Sequence, residues 1–129
     1  MTRELLVERW FAIATLIFGV SHLLNPSQWA ALTRPLRERE SGWFVVAMFN
    51  LPLGLAIVLA HHVWVWDLRV IVTLVGWSMV AKGVGYLLFP RALLVVMPAR
   101  EQLNRGFKIA GWVLVLLGAL VAYDSFYRR

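Results

Sequence analysis

The residue best suited to do chemistry in this sequence is Lys82, which lies inside a long apolar stretch between residues 70 and 89. No acidic residue is near it in the sequence. A charged lysine inside a bilayer costs roughly 3 kcal/mol on insertion scales, so it usually has a polar partner or a functional task. The candidate partners of Lys82 are the polar groups that share its depth in the membrane.

Residue counting along the apolar stretches places two other polar side chains near Lys82 in depth. Lys82 lies eight residues before the proline that ends its stretch, and Asn50 lies eight residues after the glycine that begins another. At 1.5 Å per residue, both are about 12 Å from the same end of the bundle. His22 precedes Pro26 by four residues, which places it about 6 Å from that end. We therefore expect three polar side chains from three helices in one half of the bilayer.

Pro52 adds a hydrogen-bond acceptor to this group, because it frees the backbone carbonyl of Met48. We expect Lys82, Asn50 and the Met48 carbonyl to form a hydrogen-bonded cluster. The predicted ligand-binding residues are Lys82, Asn50, His22, Ser78 and Tyr86. Two interpretations stay open, namely a role in packing and topology, and a site for an anionic headgroup, a quinone or a small solute.

Other chemistries find little support in the residue pattern. The chain has no cysteine, which excludes disulfides and thiolate sites. His61 and His62 are expected to face headgroups or water at the end opposite His22, so a bis-histidine haem fails on geometry. Asp67 and Arg69 are predicted to form an ion pair in a hairpin. No metal site, phosphate loop, catalytic triad or paired carboxylates are indicated, and we expect no cofactor and no catalytic residue.

The composition indicates the elements that position these residues. Of 129 residues, 60% are hydrophobic and 16% charged, and the net charge is +6. The basic residues lie at the ends of apolar runs, which favours membrane lipids over nucleic acid as partners. Backbone hydrogen bonding in lipid requires these runs to be helices. The sequence predicts an all-α integral membrane protein, one domain over residues 1–129, with spans at Leu6–Leu24, Trp43–Ala60, Val70–Phe89 and Phe107–Tyr123.

Four spans place both termini on one face of the membrane, called side A here, and the two long connections on side B. Ser27–Arg39 and Arg91–Leu103 mix apolar residues with arginine, as surface helices do, although Pro35 and Pro98 are expected to break them. Five basic residues at side A and seven at side B favour a cytoplasmic side B. Small four-span proteins usually keep their termini inside, so both orientations stay open.

An internal duplication is indicated when the sequence is compared with itself at an offset of 64 residues. Fifty ungapped pairs contain eight identities, among them Gly19 with Gly83 and Gly54 with Gly118. We predict two tandem helical hairpins, with repeat 1 at about residues 6–60 and repeat 2 at about residues 70–124. Small residues four apart on the helices favour close packing within the bundle or between copies.

Several segments carry a resemblance to known proteins. These are residues 19–26 (GVSHLLNP), 61–64 (HHVW) and 72–77 (VTLVGW), followed by Lys82-Gly83 and Pro90. They resemble segments of small bacterial four-span membrane proteins of unknown function. The first span and its Asn-Pro end are similar to the DoxX-like family, which includes a subunit linked to quinone oxidoreduction. The resemblance implies the bacterial inner membrane as location.

Three functions follow as expectations. The first is a non-enzymatic, self-associating scaffold or accessory subunit. The second is a binding or transport module that holds a lipid, quinone or small solute at Lys82. The third, implied by the DoxX-like resemblance, is an accessory subunit of a quinone-linked oxidoreductase. The expected partners are membrane lipids and either further copies of the chain or another membrane protein.

Overall fold

A computed structural model describes residues 2–39, 41–89 and 104–128, and these residues are helical with short connections and no strand. The helices are α1 (Arg3–Leu24), α2 (Pro26–Glu38), α3 (Gly42–Ala60), α4 (Val70–Leu88) and α5 (Asn104–Ala122), the last continuing as a π-helical segment over Tyr123–Arg128. The predicted all-α class is confirmed for the described part of the chain.

Capping side chains and prolines determine where the first two helices begin and end. The Thr2 hydroxyl accepts a hydrogen bond from the Leu5 N–H at 3.1 Å and caps the start of α1. Pro26 occupies the first turn of α2, where its missing N–H has no helical partner to lose. A helix is therefore present where the sequence predicts a surface helix. The expected break at Pro35 is wrong, because α2 runs through this residue to Glu38. Pro98 and residues 91–103 lie outside the described residues.

Within the described residues, four helices are long and apolar enough to cross a membrane, namely those at Arg3–Leu24, Gly42–Ala60, Val70–Leu88 and Arg105–Tyr127. They coincide with the predicted spans to within a few residues at each end. Their outward surfaces are apolar, and Ile17, Phe49 and Leu59 are 65%, 69% and 75% exposed. Soluble monomers rarely expose apolar surface continuously, so this surface favours a lipid environment.

The spans pack as two antiparallel pairs, α1 with α5 and α3 with α4. Contacts between the pairs are few, and α2 contacts both α3 and α5. The helices of each predicted hairpin, α1 with α3 and α4 with α5, therefore pack less closely on each other than on a helix of the other predicted repeat. The first and last spans of the chain form one of the two tight pairs.

Glycines set the separation within each pair. A Cβ added at Gly19 would lie 2.8 Å from the Val115 backbone nitrogen, and one at Gly83 would lie 2.9 Å from the Leu51 Cα. A second contact occurs further along each pair. A Cβ at Gly54 would lie 2.8 Å from the Val80 nitrogen, and one at Gly118 would lie 3.0 Å from the Leu16 nitrogen. Backbone therefore packs on backbone at two levels in both pairs.

The two pairs meet through a small apolar core. Its buried members are Phe11, Ala12, Ile57, Val72 and Val121. These residues lie in the half of the bundle that contains the start of α1 and the end of α5. Toward the other end, the pairs border a partly open cavity.

The glycine contacts predict that alanine at Gly19 or Gly83 destabilises the bundle. Each added methyl group meets backbone atoms of the facing helix, and overpacking of this kind costs about 1–3 kcal/mol. The two sites lie in different pairs, so we expect their effects to add. Thermal unfolding in detergent measures this, with Val84→Ala, at a 40% exposed neighbour of Gly83, as the control. Unchanged midpoints for both glycine variants would contradict the close approach of the helices.

Candidate functional site

Three buried polar side chains form a continuous hydrogen-bonded series at the side-A end of the bundle. Glu8 Oε1 lies 2.8 Å from His61 Nε2, and His61 Nδ1 lies 2.8 Å from Thr73 Oγ1. All three residues have zero exposed surface. Buried polar groups are costly unless they are hydrogen-bonded, and these side chains satisfy one another. We call them the Glu8–His61–Thr73 cluster.

Different elements bring the cluster together. Glu8 lies in the second turn of α1, and Thr73 in the first turn of α4. His61 follows α3 directly, where its N–H donates to the Ile57 carbonyl at 2.7 Å and ends the helix. Thr73 Oγ1 also accepts the Val63 N–H at 3.2 Å. The cluster therefore joins the α1–α5 pair to the α3–α4 pair and to the connection between α3 and α4.

The heavy-atom geometry allows two proton arrangements. A neutral His61 donates from Nε2 to the Glu8 carboxylate and accepts the Thr73 hydroxyl proton at Nδ1. A protonated His61 donates to both neighbours and forms a buried ion pair with Glu8. In both arrangements each ring nitrogen has a partner.

A second polar group surrounds the start of α1 and the end of the chain. Arg9 Nε donates to the Ser125 carbonyl at 3.1 Å, and its guanidinium lies 4.7 Å from the centre of the Phe126 ring. Carbonyls at the end of a helix lack helical partners, and a cation beside them is stabilising. Asp124 is 3% exposed and Ser125 fully buried. Ser125 Oγ has no hydrogen-bond partner among the described residues.

The predicted ion pair between Asp67 and Arg69 is confirmed. Arg69 Nη2 lies 2.7 Å from Asp67 Oδ2, and the Arg69 backbone N–H donates to Asp67 Oδ1 at 2.8 Å. The Asp67 hydrogen bond raises the pKa of Arg69 above its ordinary value, and the charges of Asp67, Glu8 and Asp124 act in the same direction, whereas burial opposes it. A raised pKa favours the charged form, so Arg69 is a cation at all physiological pH values.

The cluster has the order carboxylate, imidazole, hydroxyl, which is also that of a hydrolase triad. The fold creates this order from residues that are 53 and 12 positions apart, so the sequence pattern does not show it. The geometry does not support nucleophilic catalysis. Thr73 is inaccessible, and its oxygen already accepts the Val63 N–H. Within the described ranges no three acidic or histidine side chains are placed to hold a metal ion.

A partly open cavity of about 490 Å³ lies between the two helix pairs. Its lining is almost entirely apolar and comes from α1, α2, α3, α4 and α5; the residues are Trp10, Phe11, Ala14, Thr15, Phe18, His22, Trp29, Leu53, Ile57, Val75, Met79, Leu114 and Leu117. Its volume is within the range of small-molecule sites. The cavity exists because the tight contacts lie within each pair and few contacts cross between the pairs.

Polar and aromatic groups close the side-B end of this cavity. The His22 ring stacks on Trp29 at 4.3 Å between centres and lies 5.8 Å from the Phe107 ring. His22 Nδ1 is 2.6 Å from the Phe18 carbonyl. Trp29 Nε1 donates to Ser21 Oγ at 2.9 Å, which fixes α2 across the end of α1. A polar group of a bound molecule would meet His22 here.

The five residues predicted to form the Lys82 site do not come together in the structure. Lys82 and Ser78 lie on the exposed face of α4. Asn50 donates to the Val46 carbonyl of its own helix at 3.2 Å, and Tyr86 stacks with Trp43 at 5.8 Å. Among the described contacts no hydrogen bond joins Lys82 to any of the other four residues. Only His22 lines the cavity, so ligand binding by the five-residue set stays a prediction.

His61 and His62 have the same predicted environment, but the structure places them in different ones. His62 is exposed as expected, whereas the expectation that His61 faces headgroups or water is wrong, since its side chain is fully buried. Depth counting from the side-A ends of the spans, like that from side B, would place Glu8, His61 and Thr73 at similar levels. It would not show that these side chains are buried and face one another.

The chain was compared with known proteins, and no relative was found. The chain matches no protein-family model, no curated protein and no solved structure.

The cluster predicts that His61→Leu destabilises the protein strongly. The substitution leaves Glu8 buried without its imidazole partner, which costs about 3–5 kcal/mol when one half of a buried pair is removed. His62→Leu, at the exposed neighbour, is the matched control and is expected to change stability little. The double variant Glu8→Leu/His61→Leu should recover most of the loss, because both polar partners are then absent. Denaturant unfolding in micelles measures all three, and equal losses for His61→Leu and His62→Leu would exclude the role assigned to the pair.

Proposed function

We propose that this protein is a multi-pass membrane protein that holds one apolar chain of a lipid-like molecule between its two helix pairs. The observation that carries the proposal is the 490 Å³ cavity with its almost wholly apolar lining. Binding sites of this kind combine a large apolar surface with a few polar groups that orient the ligand. Here the polar groups are at one end, around His22 and Trp29.

Integration into a membrane is supported by the four apolar helices and by aromatic residues at their ends. Trp66 is fully exposed in the connection between α3 and α4, and Tyr127 is 84% exposed near the end of the chain. Both belong to side A, and amphipathic rings favour the headgroup level of a bilayer. The resemblance to small bacterial four-span proteins favours the inner membrane as the location.

The chemistry of the cavity favours an uncharged chain as its occupant. Among the described residues, no acid, lysine or arginine lines it, so a buried charge on the ligand would have no counter-ion there. An acyl chain of a phospholipid, a free fatty acid and the isoprenoid tail of a quinone share the required chemistry. Because His22 Nδ1 donates to the Phe18 carbonyl, the neutral imidazole offers Nε2 as an acceptor, which suits a hydroxyl at the attachment point of such a chain.

The proposed duplication places this cavity near the axis that relates the two repeats. At the 64-residue offset, the contact of Gly19 with Val115 corresponds to that of Gly83 with Leu51. The cavity lining contains three corresponding pairs, which are Phe11 and Val75, Thr15 and Met79, and Leu53 and Leu117. A ligand between two related halves is a common arrangement in membrane proteins built from repeats.

The same correspondence extends to the polar groups at side A. His61 corresponds to Ser125 and Thr73 corresponds to Arg9 at the 64-residue offset. His61 is hydrogen-bonded to Thr73, and the Ser125 carbonyl accepts from Arg9. The residue types differ, but each repeat links its second span to the first span of the other repeat at the same place. This supports duplication followed by divergence.

A second candidate function is that of an accessory subunit, including one for a quinone-linked oxidoreductase as the DoxX-like resemblance implies. The outward position of Lys82 on α4 favours an association with another membrane protein. This role is compatible with a lipid-like chain in the cavity, because the two sites use different surfaces.

Membrane integration predicts the behaviour of the protein on extraction. Because the helix surfaces are apolar and exposed, we expect the chain to stay in the membrane pellet in alkaline carbonate and in high salt. It should become soluble only in detergent. Fractionation with an antibody to a terminal tag measures this, and release by carbonate alone would contradict integration.

Ligand binding predicts different effects for tryptophan at two positions of α5. Leu114→Trp fills the cavity, whereas Leu116→Trp, at a 59% exposed position that does not line it, is the matched control. Native mass spectrometry from nanodiscs of a single phosphatidylcholine, with fatty acid or ubiquinone added in separate arms, counts the retained molecules. We expect the wild type and Leu116→Trp to retain one molecule that Leu114→Trp loses. Equal retention by both variants would exclude the cavity, and the arm that shows retention identifies the source of the chain.

A further inference from the structure

Lys82 is an exposed cation on the outer face of a helix that otherwise suits a membrane interior. α4 directs Val72, Gly76 and Gly83 inward against α3 and the core. The opposite face contains Leu74, Trp77, Ser78, Ala81, Lys82 and Leu88, all of them exposed. We call these six residues the Lys82 face. Ionisable side chains within membrane spans almost always face a bundle interior or a partner.

The described part of the chain offers Lys82 no counter-ion. No salt bridge or hydrogen bond of Lys82 is present among the described residues. Its distance from the side-B end of α4 is about 9 Å, and its side chain leans toward the N-terminus of the helix, away from that end. The direction of the helix therefore works against an approach of the ammonium group to side-B headgroups.

A second copy of the chain is poorly suited as the partner of this face. Residues 41–66, 68–100 and 102–123 contain no acid at all. The first span contains acids only near its start, where Glu8 is bound to His61. A symmetric dimer through α4 would place one Lys82 beside another at the same depth, and like charges in a poorly solvated site repel strongly.

We infer that the Lys82 face binds a transmembrane helix of a different membrane protein, and that this helix carries a glutamate or aspartate near the middle of the bilayer. Charge complementarity selects the partner, because an ammonium group in a membrane is stabilised by a carboxylate at the same depth. The small residues Ser78 and Ala81 beside Lys82 let a second helix approach closely. Trp77, Leu74 and Leu88 supply apolar contacts on either side of the charge.

A peptide of defined sequence can stand in for the natural partner in the test. The probe is an oligoleucine transmembrane peptide with one central glutamate, and the matched peptide has glutamine in its place. A glutamate at the centre of the peptide lies near the depth of Lys82 whichever way the peptide crosses the bilayer, since the hydrocarbon core is about 30 Å thick. Energy transfer between the labelled full-length protein and the labelled peptide, in neutral phosphatidylcholine vesicles, reports the association constant.

The wild-type protein is expected to bind the glutamate peptide about 5- to 30-fold more tightly than the glutamine peptide, the range expected for one polar interaction between helices. Lys82→Met should abolish this preference. Lys82→Glu should instead prefer a peptide with a central lysine. This second variant provides a test if Lys82→Met is poorly folded. Lys108→Met, at an exposed lysine in α5, is the control and should retain the preference.

Three results would overturn the inference. The first is equal binding of the glutamate and glutamine peptides by the wild type. The second is loss of the preference in Glu101→Gln to the same extent as in Lys82→Met, which would assign Lys82 to an acid of its own chain. The third is retention of phosphatidylglycerol that depends on Lys82 together with no preference between the peptides, which would assign the residue to a lipid phosphate. The inference rests on the membrane integration proposed above. Filling the cavity with Leu114→Trp should leave peptide binding unchanged, so this inference and the proposed ligand binding can fail independently.

Discussion

The backbone contact at glycines in α1–α5 and α3–α4 is the constraint on which the rest of the structure depends. Because a Cβ at Gly19, Gly54, Gly83 or Gly118 would meet the facing helix at 3.0 Å or less, each pair has one close separation and one register. These close backbone contacts occur within the pairs. Between the pairs the packing is looser, and this difference produces both the small core and the cavity.

Two elements keep the pairs together despite this looseness. At side A, Glu8 of one pair is hydrogen-bonded to His61 of the other. At side B, α2 contacts α3 and α5, and its Trp29 is fixed to α1 through Ser21. The cavity lies between these two links, with the core below it and the stacked rings of His22 and Trp29 above it. Its shape therefore depends on interactions at both ends of the bundle.

Much of the fold can be predicted from the sequence because apolar run length alone determines which segments can span a bilayer. The four long apolar helices are predicted in this way, whereas α2 is predicted from its mixture of apolar residues with arginine. The partners of each helix cannot be predicted, since apolar residues occupy both the buried and the exposed faces of these helices. The polar cluster is hidden for a related reason. Lys82 stands out in the sequence because its neighbours are apolar, whereas Glu8 lies beside Arg9 near a helix end and resembles an ordinary boundary residue. Only the tertiary arrangement shows that Glu8 is the buried one.

The pairing of α1 with α5 has a consequence for biosynthesis. Both helices of the α3–α4 pair are present once the chain up to Leu88 has left the ribosome. In contrast, the glycine face of α1 is covered only after α5 has been made. Until then, the face of α1 that contains Gly19 and Leu16 lacks its partner helix, while Glu8 is able to join His61 as soon as α3 has formed. Closure of the bundle is thus a late, C-terminal event, and a truncated chain that lacks α5 would display an unfilled helix-binding face on α1.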